Sequence, residues 1–240
     1  MVVNVATKLP GGYTTDLTGT FAGDVLPIPN FGEHVTWFDD FLWLALGGSG
    51  VAEYTAHQVG GGATALILDA DDQPSGAVRL TTTSGDNGEI AIQLNSTAFQ
   101  FVDGKNLWFE ARVRVQTLVP SAYLVGLQTT EALINTRTGV TVGKTQSGNG
   151  DVYQVFLDGA GLTDIETSGR IVANEWAKVA YHWDGANLQV YLDDIFLVTV
   201  SGNDGNFLKN TLVAPIFALE RGNPTTQTAD IDYMFVVAER

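Results

Sequence analysis

The sequence predicts an all-β sandwich, and three observations carry that reading. Apolar and polar residues alternate at period two in one short segment after another. Turns rich in Gly, Asn and Asp separate those segments throughout. No stretch places apolar residues at three- and four-residue spacing between credible helix caps. With 240 residues, 45% hydrophobic and 16% charged, the chain has material for one large core.

Residues 1–36 stand apart. Pro10-Gly11-Gly12, Pro27, Pro29 and Gly32 interrupt them, and apolar residues such as Leu9, Tyr13, Leu17 and Phe21 come singly. This is the composition of an extended N-terminal arm, lying on its own domain or on a neighbour, or else of an ordinary first strand with loops. Residues 37–240 then form the sandwich. Probable strands run over 64–68, 77–82 and 89–94. In 107–115, Phe109, Ala111, Val113 and Val115 share one face, while Trp108, Glu110, Arg112 and Arg114 share the other. Further strands are expected at 123–127, 140–144 and 152–157. Val179, Tyr181 and Trp183 alternate before the turn Asp184-Gly185-Ala186-Asn187, and the alternation resumes over 188–192, so this pair reads as a hairpin. Strands at 195–200, 215–219 and 231–238 complete roughly a dozen. Residues 133–136 read as a loop or a helical turn.

Charge and composition narrow the function classes. Twelve Lys plus Arg against 27 Asp plus Glu give a net charge of -15, a surface that repels phosphate backbones, so no nucleic-acid partner is expected. Cysteine is absent, which removes disulfides, thiolate catalysis and cysteine-bound zinc. No basic start precedes an apolar run, and no 18-residue apolar stretch occurs, so neither a signal peptide nor a membrane span is expected.

Trp37-Phe38-Asp39-Asp40-Phe41, Leu107 to Val115, Glu175 to Asp184, Leu188 to Asp193 and the closing Asp230-Ile231-Asp232-Tyr233-Met234-Phe235 come in an order that resembles the concanavalin A-like lectin and glucanase superfamily, laminin-G-like members included. The resemblance implies a jelly roll of two antiparallel sheets and says little about function. A narrower resemblance covers residues 39–127. Phe38-Asp39-Asp40-Phe41, the glycines at 47–50 and 60–62, Leu107 to Arg112 and Ala122 to Leu127 are similar to segments of tailed-bacteriophage virion proteins, head decoration and cement proteins among them.

Candidate sites follow from both readings. A retaining glucanase needs an acid and a nucleophile about 5 Å apart, as Glu-x-Asp-x-Glu supplies on one strand face, and no such motif occurs. Arg112 and Arg114 follow Glu110 instead and favour its charged form. His34, His57 and His182 lie too far apart for metal-ligand spacing. A sugar site would use Trp108, Tyr191 and Tyr153 from the faces opposite the apolar ones, with Arg112 and His182 close by on one sheet face. The lectin-like resemblance implies a structural calcium tying the first strand to the last, held by Asp39 or Asp40 with Asp232. The loop Asp69-Ala70-Asp71-Asp72 is a second candidate that lacks the Gly and distal Glu of an EF-hand.

The main expectation is therefore a non-enzymatic virion structural protein, a capsid decoration or cement protein made in the host cytoplasm. It would be homo-oligomeric, sit on the head surface and clamp a major capsid protein with arm and sandwich. The alternative is a carbohydrate-binding module that takes a surface glycan, followed by a polysaccharide-active enzyme.

Overall fold

The computed structural model describes residues 34–41, 54–59, 64–68, 77–82, 88–116, 121–129, 138–145, 151–159, 162–221 and 226–240. The described residues form fifteen strands in two antiparallel sheets, with no helix among them. One sheet of eight strands contains β1 (His34–Asp39), β3 (Thr64–Leu68), β4 (Val78–Thr82), β6 (Leu107–Val115), β11 (Trp176–Trp183), β12 (Asn187–Leu192), β13 (Ile195–Ser201) and β15 (Gln227–Glu239). The other, of seven, contains β2 (Tyr54–Val59), β5 (Glu89–Leu94), β7 (Ser121–Gln128), β8 (Gly139–Lys144), β9 (Val152–Asp158), β10 (Leu162–Arg170) and β14 (Ala214–Arg221).

In space the larger sheet runs β13-β12-β11-β6-β15-β4-β3, and the smaller runs β10-β9-β8-β7-β14-β5-β2. The 13-residue β15 occupies the middle of the larger sheet. Along one side it pairs with β6. Along the other, its first half pairs with β4 and its second half, Met234 to Glu239, pairs with β1. A bulge between Ile231 and Tyr233 bends it where the partner changes.

Alternation places the core between the sheets. Phe109, Ala111 and Val113 of β6, Val179, Tyr181 and Trp183 of β11, and Met234 and Val236 of β15 meet Ile90, Ile92, Val125, Val142, Val155, Phe217 and Leu219 of the smaller sheet. Period-two patterning had put the β6 and β11 residues on one face, and that face is the buried one.

The β11–β12 turn closes as its sequence demands. The Asp184 carboxylate accepts the Ala186 N–H at 2.8 Å and the Asn187 N–H at 2.7 Å, and Gly185 takes a left-handed φ of 87°. A Cβ on Gly185 would lie 2.6 Å from the Gly104 backbone, so only glycine satisfies both the conformation and the space. Asp193 and Asp194, with φ of 48° and 65°, make the two-residue turn into β13.

Strands β7 and β8 approach so closely that a Cβ on Gly143 would lie 2.0 Å from the Tyr123 carbonyl oxygen. Gly143→Ala is expected to cost about 2–3 kcal/mol, because a backbone rather than a side chain must move. Urea denaturation reads this, and a loss under about 0.5 kcal/mol would show that the pair of strands shifts freely.

Three described strands, β1, β2 and β10, escaped the sequence pattern. β10 (Leu-Thr-Asp-Ile-Glu-Thr-Ser-Gly-Arg) and β2 (Tyr-Thr-Ala-His-Gln-Val) lie at sheet ends, where a strand is half exposed and its alternation weak. β1 opens at His34, inside the segment read as an arm. Residues 1–33, the glycines at 47–50 and 60–62, the acidic loop at 69–72 and residues 133–136 fall outside the described residues.

Candidate functional site

The outer face of the eight-stranded sheet gathers Trp108, Arg112, His182 and Tyr191, four of the five residues singled out for a sugar site. β6 aligns with β11 so that Trp108 faces His182, Glu110 faces Ala180, Arg112 faces Lys178 and Arg114 faces Trp176. β12 adds Gln189 opposite His182 and Tyr191 opposite Ala180. Their inward neighbours fill the core, so these residues project from the opposite side.

Trp108 and His182 stack with centroids 4.8 Å apart and planes 6° apart. His182 Nε2 lies 2.9 Å from Asn106 Oδ1, which fits a neutral ring donating from Nε2. Burial pulls the imidazole below its ordinary pKa, against the opposing pull of the Asp184 and Glu239 carboxylates. A histidine so held loses its proton more readily in the folded chain than in the unfolded one. Its stabilising effect is therefore full above a pH of about 6.5 and declines as the pH falls below that value. Melting temperatures between pH 7.5 and 5.5 are expected to fall more steeply for the wild type than for His182→Gln. Parallel slopes would assign the effect to other groups.

Trp108 itself is only 4% exposed and packs with Phe235, Val237, Phe38 and Tyr233. Its indole N–H has no acceptor among the described residues. It supports the face and offers no ring to a ligand in this structure.

Arg112 and Arg114 lie over the Trp176 ring, at 5.0 and 4.7 Å from its centroid. Arg112 donates to Asp232 at 2.7 Å. Arg114 donates to Asp230 at 2.9 Å, and Arg79 reaches the same carboxylate at 2.7 and 3.0 Å. Tyr233 donates to Glu110 at 2.5 Å, and burial together with that carboxylate raises the phenol pKa. Arg112, expected at the sugar site, and Arg114 are thus both committed within the sheet.

Tyr191 remains half-buried at the rim of this face. Its hydroxyl donates to Gln189 Oε1 at 2.7 Å, and its ring meets Phe196 edge-on at 5.8 Å. Phe196 is 53% exposed. Sequence reading missed Phe196 as a site residue. A bulge between Val190 and Tyr191 shifts the phase of the β12–β13 pair and turns Phe196 to the side of Tyr191. The two bulky residues Ile195-Phe196 in succession after an Asp-Asp turn are the signal that could have shown it. Tyr153, read as facing outward, points into the core instead. It meets Tyr123 edge-on at 6.3 Å, and burial pushes its phenol pKa up to about 12. The phase of β9 is set by Tyr153, Val155 and Leu157, which all face inward.

The carboxylates proposed for calcium are brought near one another but serve other bonds. Pairing of β1 with β15 sets Asp39 opposite Met234 and so carries Asp39 and Asp40 toward Asp232. Yet the Asp39 carboxylate accepts the Phe41 N–H at 2.7 Å and the Tyr54 hydroxyl at 2.5 Å, while Asp232 is paired with Arg112. Calcium needs six to eight oxygens, and these residues do not fit it. No group of three or more His, Asp or Glu able to hold a metal occurs among the described residues.

On the smaller sheet, Glu89 and Glu220 face each other across β5 and β14. They are 2% and 5% exposed, beside Ala91, Ala122 and Ala218 at 0%, so no sugar ring reaches the pair in this structure. Cross-strand placement explains why a search for a motif within one strand overlooked them.

No protein-family model and no curated protein sequence matches the chain. Solved structures do resemble it. A protein of unknown function from Shewanella oneidensis MR-1 aligns with a TM-score of 0.57 and 12% identity, over 86% of this chain and 87% of that one. The exoplasmic/lumenal domain of VIP36, bound to Ca2+ and Man3GlcNAc, aligns at 0.56 and 13% identity, over 79% and 85%. The carbohydrate recognition domain of Emp47p aligns at 0.53 and 13%, over 77% and 87%. The chain has the concanavalin A-like jelly-roll fold. This set also corrects the main functional expectation. These similar structures are a protein of unknown function, the VIP36 exoplasmic/lumenal domain and the Emp47p carbohydrate recognition domain, and none is a capsid decoration or cement protein, which overturns both the virion role and the capsid-surface location. The phage-like segments have a plainer cause. Phe38-Asp39-Asp40-Phe41 ends β1, and Leu107 to Arg112 and Ala122 to Leu127 are strands β6 and β7, so their alternation reports a jelly roll.

Proposed function

We propose that this chain is a carbohydrate-binding domain that holds its glycan at the rim of the eight-stranded sheet, on the aromatic pair Tyr191 and Phe196. The observation that carries the reading is this ring pair, Tyr191 half-buried and Phe196 exposed, set beside polar groups on the same sheet face as His182 and Lys178. An exposed aromatic ring offers a flat apolar surface to the C–H face of a pyranose, while neighbouring amides orient its hydroxyls. The Gln189 carbonyl is taken by the Tyr191 hydroxyl, which turns the amide N–H donors toward a ligand. The lectin-like fold supports the same reading.

Charge defines the glycan class. A chain of net charge -15 repels acidic sugars, and Arg112 and Arg114 on this sheet face are bound to Asp232 and Asp230. The ligand is a neutral oligosaccharide. The aromatic pair takes a sugar face without a metal, and the carboxylates of Asp39 and Asp232 are held by protein donors.

Tyr191→Ala is expected to weaken binding of neutral oligosaccharides at least about tenfold, equal to about 1.4 kcal/mol, with the fold retained. A glycan array followed by titration calorimetry checks it. Absence of binding across neutral glycans, or equal affinity of the variant, overturns the site.

A further inference from the structure

The outer face of the seven-stranded sheet is buried. Ala91 of β5, Ala122 and Leu124 of β7, and Ile216 and Ala218 of β14 form an apolar cluster apart from the main core, each at 1% exposure or less. Their chain neighbours Ile90, Ile92, Tyr123, Val125, Phe217 and Leu219 fill the inner core, so the cluster faces away from the larger sheet. Cross-strand register extends the buried area to Gln93 on one side and, through Gly126, to Thr141 and Phe156 on the other. All fifteen strands belong to the two sheets, and the loop residues Phe99, Phe101 and Phe207 pack into the inner core. No described strand covers this face.

We propose that residues 1–33 lie across the outer face of the seven-stranded sheet and form a third layer there. Length and attachment select this occupant. The strands β5-β14-β7-β8-β9 span about 20 Å at about 4.8 Å per gap, and the face runs about 20 Å along β7 from Ala122 to Gln128. The segment 42–53 leaves after Phe41 and returns at Tyr54, whose rings lie 5.7 Å apart. It must run out and back, so it reaches about 20 Å from the β2 edge. Phe156 on β9 lies five strand spacings from β2, about 24 Å away. The segment 130–137 closes a hairpin between Thr129 and Thr138 and reaches about 13 Å back along β7, short of Ala122. Every other undescribed internal segment has eight residues or fewer. Residues 1–33 join the sheets at His34, the start of β1, and Trp37 of that strand meets Tyr54 of the edge strand β2. The sandwich is about 10 Å thick, so a few residues carry the chain round that edge. The rest, at about 3.3 Å per residue, crosses the face more than once.

The chemistry of the segment fits the floor it meets. Leu9, Tyr13, Leu17, Phe21 and Val25 recur at every fourth residue, and only Lys8, Asp16, Asp24 and Glu33 carry charge. A floor of Ala91, Ala122 and Ala218 leaves depth for such single large side chains. Gln128 adds a polar point of attachment. It is completely buried on this face, and neither side-chain amide atom has a partner among the described residues. An extended peptide group supplies the N–H and the C=O that satisfy both. Tyr191 and Phe196 lie on the other sheet, so this inference is independent of the glycan reading.

Photo-crosslinking of the full chain tests the proposal, with p-benzoylphenylalanine in place of Phe21 and, separately, of Tyr13. Each exchange keeps an aromatic ring. Irradiation of a dilute sample is expected to join the probe to peptides of β5, β7, β8, β9 or β14, in a product of the 25.7 kDa chain mass. Coupling to the eight-stranded sheet, coupling only in a product of twice that mass, or no coupling from either position overturns the proposal. Ala218→Arg supplies a second reading. It sets a long charged side chain on the floor and leaves the inner core untouched, because Ala218 faces away from it. Chymotryptic cleavage after Tyr13 and Phe21 is expected to be at least about tenfold faster than in the wild type, with an unchanged far-ultraviolet spectrum. Equal rates in a folded variant overturn the proposal. Should Ala218→Arg fail to fold, the crosslinks decide alone.

Discussion

Replacing Asp230 with alanine is expected to cost about 3–5 kcal/mol of stability. Asp230 is fully buried on β15. Its two oxygens accept hydrogen bonds from Arg79 on β4 and from Arg114 on β6. One carboxylate thus ties the strands on both sides of the sheet's central strand. The guanidinium groups it would leave behind have side chains only 25% and 15% exposed, so water reaches them poorly. The loss is chiefly the cost of two cations left without their anion, which is why truncation costs more than the pair contributes. Guanidinium chloride also screens charge, so urea is the better denaturant for the measurement. A loss below about 1 kcal/mol would mean that the arginines swing out to solvent.

Trp183→Ala is expected to cost a similar amount, about 3–5 kcal/mol. Trp183 is completely buried, stacked on Phe207 at 4.7 Å and set edge-on to Phe101 at 6.2 Å. Its indole N–H donates to the Val102 carbonyl at 2.9 Å. Gly202 leaves room for the ring, since a Cβ there would lie 2.2 Å from it. Removal opens a cavity and strands a carbonyl together. Trp183→Phe retains the stacking and is expected to recover part of the loss. Thermal or urea melts of the two variants separate the volume effect from the hydrogen bond, and equal losses would assign the whole cost to the latter.

The sandwich was legible because its inner strands obey a simple rule. β6 and β11 alternate cleanly, and the Asp184–Asn187 turn between β11 and β12 has the residues its geometry demands. Where neighbours or bulges decide orientation, the chain was opaque. Tyr153 faces inward because β9 takes its phase from Val155 and Leu157, and Phe196 faces the side of Tyr191 because of a bulge. Partnership was equally hidden. Arg112 and Trp108 lie on the expected face, but their strand pattern carries no sign that Asp232 and His182 would engage them. Those contacts span 120 and 74 residues, the first with a carboxylate beyond a β-bulge and the second through a cross-strand register. The phage-like segments illustrate the opposite error, in which strand patterning common to many jelly rolls was taken for a biological setting.

The position of β15 bears on how the molecule is made. It is the last of the fifteen strands in chain order, yet it fills the middle of its sheet. During synthesis β1 and β6 emerge long before the strand that joins them, and β1 waits about two hundred residues for its partner. Until then the ribosome-bound intermediate exposes two unpaired strand edges, and chaperones meet a half-sheet instead of a fold. Late closure over so long a loop makes folding slow, and a message truncated before residue 227 would yield a product with a missing centre rather than a frayed end.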